Sequence, residues 1–527
     1  MQKEKLNINV THGISKMQHV RNVLGRTPEW LKSIFYTDAY IGFYIVCTMM
    51  SWLLDRPEIG LTMFGVCGAI SLLVVDDITV QLPHLFYLVG NFVAQDAMEY
   101  VRRPTGPYIG LMFGIYVLAL ILHFIIYKPV LRVRKMVVPY LLLEVAMLLS
   151  IAFEDFDNKI PQEVGRNVLD MEMWATYITL VAAPLAFYLG SAYAKPNKYV
   201  DKRRYIAKFV VGYGMIGSFM VIFTFFFGNA ANNYSYSLFK DLINGGAASS
   251  VPEPTYGVGN NAAIAYILVM SFPLGFYLDL NKKKGIRYYT LCSYITFISI
   301  FLAFSRAEIL LAVLIVPVIV IAILKHSNNK LAQLRPAIIL ATITIICCLI
   351  WYDVVYDLVL ASITQKGNGR EKLYNDALRQ FRINPWTGRG VAFKEFFGWR
   401  EKMWQYHSTF FQVIGAMGLV GLVAYSIFYV VQYKIVFKNI NKDPYKVFIM
   451  LAMMGIEFVG PIDCPIFIAY PYMCFMAVYV VECETQNNIK FDQIPENQRI
   501  VYSRQWQLEK LNYFAQIEHI KIKNFNV

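Results

Sequence analysis

Three residues of this chain carry side chains suited to chemistry and stand at the edges of apolar stretches. His407 opens the run in WQYHSTFFQVIGAMGLVGLVAY (404–425), followed by glycines at 415, 418 and 421. Arg306 interrupts two apolar stretches in FLAFSRAEILLAVLIV (301–316), and Arg370 begins a helical pattern in GNGREKLY (367–374). An imidazole changes charge near neutral pH and can exchange a proton there. Arginine stays charged, and at membrane depth it costs roughly 2.5 kcal/mol or more, so it lines a polar cavity or pairs with a partner. Each residue also has a plain structural reading. His407 can be an ordinary interfacial residue, and Arg306 can pair with Glu308 or sit in a surface turn.

Other reactive residue types are set aside by their placement. Of eight cysteines, Cys47, Cys67, Cys292, Cys347, Cys348 and Cys474 fall inside apolar stretches, and no CxxC pair suggests a disulfide framework or a metal. GVGNNA (257–262) matches a dinucleotide fingerprint by letter, but it precedes an apolar span and follows a Pro-rich loop instead of a strand. There is no P-loop, so no direct coupling to ATP is expected. No HExxH or comparable cluster suggests a metal, and no cofactor is expected.

The elements that must position these residues are membrane helices. Of 527 residues 57% are hydrophobic and 16% charged, where a soluble chain carries about a quarter charged. Apolar runs of about 20 residues recur along the whole length, each long enough to cross a bilayer. The expected fold is an all-α polytopic membrane protein with about 14 transmembrane helices. They fall at roughly 38–54, 58–75, 79–94, 108–127, 136–153, 173–194, 207–227, 261–280, 286–304, 307–325, 336–352, 407–433, 446–460 and 464–482. The polar 79–94 stretch, with Gln81, Pro83 and His84, is the weakest of them. The first residues lack an apolar core and a cleavage site, so no cleaved signal peptide is expected.

Lys and Arg counts at the span ends orient the chain. Residues 1–37 carry six, 128–135 four, 195–204 five, 281–287 four and 434–446 four. This alternation puts both termini in the cytoplasm. The organisation is then a 1–37 cytoplasmic segment with an interfacial helix around WLKSIF and eleven spans over 38–352. A large external loop at 353–406, three spans over 407–482 and a 483–527 cytoplasmic tail with an amphipathic pattern complete it. Most of the net charge of +13 faces the inner leaflet. It is dispersed over short loops, which argues against nucleic acid as a partner.

The external loop breaks the alternation with nine Lys and Arg residues. It shows helical periodicity and a cluster of Phe393, Phe396, Phe397 and Trp399, so a folded, mostly helical, membrane-hugging lid is expected. A basic and aromatic outer lid points to an anionic amphiphile as ligand. A solvated loop indifferent to the charge rule is the plain alternative.

Residues 255–435 resemble the O-antigen ligase and polymerase superfamily of bacterial envelope glycosyltransferases. Four pieces match in order: GVGNNAAIAYILVMSFPLGFYL, FSRAEILLA with its Arg306-x3-Leu310 spacing, NGREKLYNDALRQFRINPWTGRGV, and YHSTFFQVIGAMGLVG with seven residues between His407 and Gly415. Glu308 departs from the small or neutral residue usual at its place. The resemblance implies a GT-C-like glycosyltransferase in the bacterial inner membrane with its active site on the outer face. Its donor would be a glycan on polyprenyl diphosphate and its acceptor a glycan hydroxyl. His407 would be the general base, and Arg306 and Arg370 would bind the diphosphate. Arg379, Arg389 and Tyr406 complete the expected substrate-binding set. Metal-independent transfer with inversion is implied.

Three readings stay open. The first is a polymerase that joins repeat units into a capsule, exopolysaccharide or O-antigen, with membrane lipid and a chain-length regulator as partners. The second is a ligase that moves the finished glycan to a terminal acceptor. The third is a flippase for lipid-linked oligosaccharide, which should place charges deep in several spans and show repeat symmetry.

Overall fold

The structure is a computed structural model. It describes residues 29–54, 56–81, 83–84, 106–129, 131–153, 183–193, 201–227, 261–280, 282, 286–303, 306–328, 330–350, 352, 370–388, 394–397, 400–403, 406, 408–457 and 470–488. Lipid offers the backbone no hydrogen bonds, so apolar segments must satisfy their own, and they do so as helices. In the first half these are α1 (Glu29–Ile34), α2 (Asp38–Leu53), α3 (Pro57–Thr62), α4 (Gly68–Val74), α5 (Gly106–Tyr127), α6 (Val137–Ala152), α7 (Ala183–Ala192) and α8 (Lys202–Phe227). The second half holds α9 (Asn261–Asp279), α10 (Tyr288–Leu302), α11 (Arg306–His326), α12 (Lys330–Ile350), α13 (Arg370–Ile383), α14 (Thr409–Phe437), α15 (Pro444–Glu457) and α16 (Tyr470–Asn488). Pro57 opens α3 at a position where its missing N–H costs nothing. A π turn at Met63–Cys67 joins α3 to α4.

The described parts of the expected spans other than 79–94 are helical, with 58–75 divided into α3, a π turn and α4. That stretch begins with a 3-10 turn at Ile78–Gln81, and its residues beyond His84 lie outside the described ones. Four segments are long and apolar enough to cross a membrane by length and composition: Gly110–Tyr127, Lys202–Phe223, Ala307–His326 and Thr409–Lys442. Shorter apolar helices such as Val137–Ser150 and Pro444–Gly455 occupy other expected spans. The described residues therefore form an α-helical membrane protein. The amphipathic pattern in the tail lies outside them.

The core runs through both halves of the chain. Tyr140, Tyr188, Tyr205, Tyr266, Phe297, Phe428, Tyr445 and Phe475 are buried in one continuous cluster. Lipid-facing surface is apolar by contrast, with Leu118 and Ile121 of α5 and Ile345 and Leu349 of α12 exposed.

At one end of the bundle the segments that the charge count assigns to one side are tied to one another. Arg203 donates to both Asp443 oxygens, at 3.3 and 3.1 Å, and to the Glu482 carbonyl at 3.2 Å. Arg132 meets the Glu482 carboxylate at 3.2 Å, and the backbone N–H groups of Arg134 and Lys135 donate to Glu484. Lys202 pairs with Asp77 at 3.2 Å, and Tyr36 donates to the same carboxylate. Arg204 reaches the Leu278 carbonyl at 2.6 Å, and Lys325 reaches Asn441 at 3.2 Å. Connections far apart in sequence thus share one end, as alternating crossings require.

The segment 353–406 differs in part from its expected helical character. Arg370–Ile383 is a helix, but β1 (Lys394–Phe397) and β2 (Arg400–Met403) form an antiparallel hairpin in register Lys394↔Met403 to Phe397↔Arg400. The sequence between the paired ends is Gly398–Trp399. A two-residue connection containing glycine beside adjacent aromatics favours a hairpin over a continued helix.

Candidate functional site

The starts of α11 and α14, and with them α13, lie at the end opposite the ion pairs. Arg306 is the first residue of α11, whose last turn reaches Asn441 just beyond α14. The C-termini of α11 and α14 therefore share the ion-paired end, and their N-termini share the other. Arg370 is the first residue of α13. Ser408, in extended conformation, is the N-cap of α14. His407, Arg389 and the side chains of Arg306 and Arg370 lie outside the described residues. Glu308, in the first turn of α11, is buried at 1% exposure and is not without a partner. An acidic group there suits the positive end of the helix.

α13 packs alongside the first turns of α14, and the pairs show that the two run parallel. Tyr374 stacks on Phe411 with centroids 4.3 Å apart and planes 13° from parallel. One turn on, Ala377 meets Gly415, where an added Cβ would lie 3.1 Å from the Ala377 methyl and 2.8 Å from the Tyr406 ring. Gly415 is therefore the close approach that lets the helices touch. Tyr406 is buried in this contact, and its N–H donates to Gln412 Oε1 at 2.8 Å. Continued back one turn, the register sets Arg370 beside the mouth of α14. Two parallel helices then present their N-termini together, an arrangement that attracts an anion.

Two turns into α14 the helix breaks. Gly418 has φ 60° and ψ −152°, a backbone conformation open essentially to glycine alone. An unbroken helix would pair the N–H groups of Leu419 and Val420 with the carbonyls of Gly415 and Ala416. Here Leu419 donates to the Pro385 carbonyl at 2.8 Å and Val420 to that of Trp386 at 3.1 Å. The Ala416 carbonyl accepts from Ser150 Oγ of α6 at 2.6 Å. Buried backbone groups are almost always paired, so the turn after α13 and a serine from the first half supply what the break removes.

The turn itself is shaped for this task. Gly388 donates to the Asn384 carbonyl at 3.0 Å, and Thr387 Oγ1 donates to the Asn384 side chain at 3.2 Å. Gly388 has φ 67°, and a β-carbon there would lie 2.4 Å from the Ala416 carbonyl carbon. A β-carbon on Gly418 would lie 2.6 Å from the Trp386 carbonyl. Asn-Pro-Trp-Thr-Gly and Gly418 thus make a backbone latch between α13 and α14. Of the glycines after His407, Gly415 serves close helix packing. The glycine run alone does not reveal the break at Gly418 or the part played by Ser150. The Asn-Pro and glycine pair was the available signal for the turn, and nothing in the sequence singles out Ser150.

Arg379 stands on the exposed side of α13 and pairs with Asp376 at 2.6 Å. Among the described residues no group of three or more His, Cys, Asp or Glu side chains could hold a metal ion. No curated protein matches the chain. Residues 291–426 match the family model described as O-antigen ligase, a segment that runs from α10 into α14 and contains Arg306, Arg370, the latch and His407. Over that segment, about a quarter of the chain, the protein is similar to the O-antigen ligase family.

Proposed function

We propose that the protein is a glycosyltransferase that polymerises glycan repeat units carried on polyprenyl diphosphate, on the outer face of the bacterial inner membrane. The observation that supports this most is the parallel packing of α13 on α14, which sets the Arg370 end beside the mouth of α14 that follows His407. The basic excess of the ion-paired end favours the cytoplasm on that side, which leaves the site facing out. Arg306 and Arg370 open their helices and His407 precedes α14 in sequence, instead of standing in the middle of several spans, which favours transfer over flipping.

In this mechanism the acceptor hydroxyl oxygen attacks the anomeric carbon of the donor while the bond to the phosphate oxygen breaks. His407 takes the hydroxyl proton, a role that contributes typically 10²- to 10⁴-fold. The electron pair leaves on the polyprenyl diphosphate. Arg306 and Arg370 neutralise it, with planar guanidinium forks that match phosphate oxygens. Attack opposite the leaving group inverts the anomeric carbon, and no metal is needed. Arg379 and Arg389 line the approach of substrate, whereas Tyr406, expected to join them, is buried between α13 and α14 and acts by holding the two helices together.

The test is a gel of carrier-linked glycans from a deletion strain complemented with His407→Ala, Arg306→Ala or Arg370→Ala. Single repeat units on the carrier are expected in each. Long chains stranded on the carrier would make the protein a ligase, the reading in which the finished glycan goes to a terminal acceptor. Unchanged polymer in the His407→Ala strain would remove the imidazole from the mechanism.

A further inference from the structure

We infer that the exposed end of α13 is an anchor in the outer-leaflet phospholipid interface, and that it holds the α14 break at the membrane surface. The depth follows from α14. Its exposed large apolar side chains are Leu419, Val423, Ile427, Val430 and Phe437, besides Phe410 at the mouth. From Leu419 to Phe437 this stripe rises about 27 Å at the helical rise per residue, against a hydrocarbon core of about 30 Å. It begins at the first residue after the break. Before the break, Ala377 and Tyr406 cover this helix. Gly418 therefore sits at the boundary of the hydrocarbon farther from the ion-paired end.

The latch turn lies at the same level, because the Pro385 carbonyl accepts from Leu419, the top of the stripe. Ile383 and Trp386 are 64% and 65% exposed there. Arg379 and Arg382 are exposed as well. Positions 379, 382, 383 and 386 fall on one face of the helical path, with charge first and the apolar pair last. Tryptophan concentrates at the headgroup level of bilayers, and arginine bends its guanidinium toward the phosphates. The apolar end of this face adjoins the lipid-facing stripe, so phospholipid is the occupant that continues a surface already facing lipid. The carbonyls of Pro385 and Trp386 also hold the break, so the anchor fixes the latch at the membrane surface. This inference does not depend on the glycan-transfer reading.

The experiment replaces Trp386 with the photocrosslinker p-benzoylphenylalanine in the full chain, in nanodiscs of phosphatidylethanolamine and phosphatidylglycerol. The same probe at Asn375, exposed on α13 two to three turns earlier, is the control. After illumination, mass spectrometry is expected to find phospholipid adducts at 386 and few or none at 375. Ile383 serves as a second probe position if the 386 variant does not accumulate. Adducts to protein only, no adducts at either probe, equal yields at 386 and 375, or adducts confined to a polyprenyl carrier in native membranes would each overturn the anchor. A transfer-dead protein that still gives the lipid adduct would leave it standing.

Discussion

At one end of the bundle Arg203 grips Asp443 and lies over the Tyr445 ring at 4.6 Å, while Arg132 meets Glu482. At the other end the corresponding fastening is main chain, where Leu419 and Val420 donate to the carbonyls of Pro385 and Trp386 across a glycine break. The ion pairs join the half that carries the family match to the half that does not, and they can form with modest adjustments of long side chains. The latch has no such tolerance, because its bonds need φ above zero at Gly418 and Gly388. The difference separates two kinds of fastening: one end ties the two halves of the chain together by charge, and the other fixes α13 on α14 through the main chain.

The largest effect should follow Gly418→Ala. The new methyl collides with the Trp386 carbonyl and the backbone must leave a conformation that costs a non-glycine residue about 1–3 kcal/mol. Glycan transfer should fall at least 100-fold while membrane abundance falls much less. Transfer at the native rate in a complementation assay would erase the contrast between the ends.

Next comes Asp443→Ala, which leaves Arg203 buried without its carboxylate and should cost about 3–5 kcal/mol. Abundance and thermal stability in detergent should drop together, with specific activity per folded molecule retained. Leucine at both 203 and 443 should recover most of that loss, since the cost comes from the unpaired charge. A double variant as unstable as the single one would show that the pair acts through something other than charge.

Ser150→Ala should be milder. It strips the Ala416 carbonyl of its donor, at a cost of about 1–3 kcal/mol. Turnover should fall several-fold with the KM for lipid-linked donor little changed, and Ser150→Thr should restore part of it. A change confined to KM would place Ser150 in substrate binding instead of the latch.

Arg379→Ala sharpens the comparison from the small end. Its ion pair with Asp376 is exposed, with 65% of the arginine side chain accessible, and such pairs contribute under about 1 kcal/mol. Stability should be unchanged by thermal unfolding. A loss of transfer at that same stability supports Arg379 as a substrate contact, and full activity would confine its role to the helix surface.

Much of this was legible from residue order alone. Runs such as AEILLAVLIVPVIVIAIL must be helical in lipid, and basic clusters such as KPNKYVDKRR mark the ends of crossings. Arg306, Arg370 and His407 stand out as candidates by type and spacing, and four motifs in order carry the resemblance to O-antigen ligases. The pairing of 394–397 with 400–403 had a signal in Gly398 and the adjacent aromatics, but the helical periodicity read across the whole segment hid it.

The sequence by itself determined the helical membrane class and the candidate residues, because a bilayer leaves an apolar backbone one local solution. Tertiary structure alone decided that α13 lies parallel to α14 with Tyr374 on Phe411, that GAMGLVG breaks at Gly418, and that Ser150 completes the break. A run of glycines and small apolar residues is compatible with an unbroken helix. Only the carbonyls of a turn more than thirty residues earlier, and a hydroxyl from the other half of the chain, make the broken form the lower in free energy.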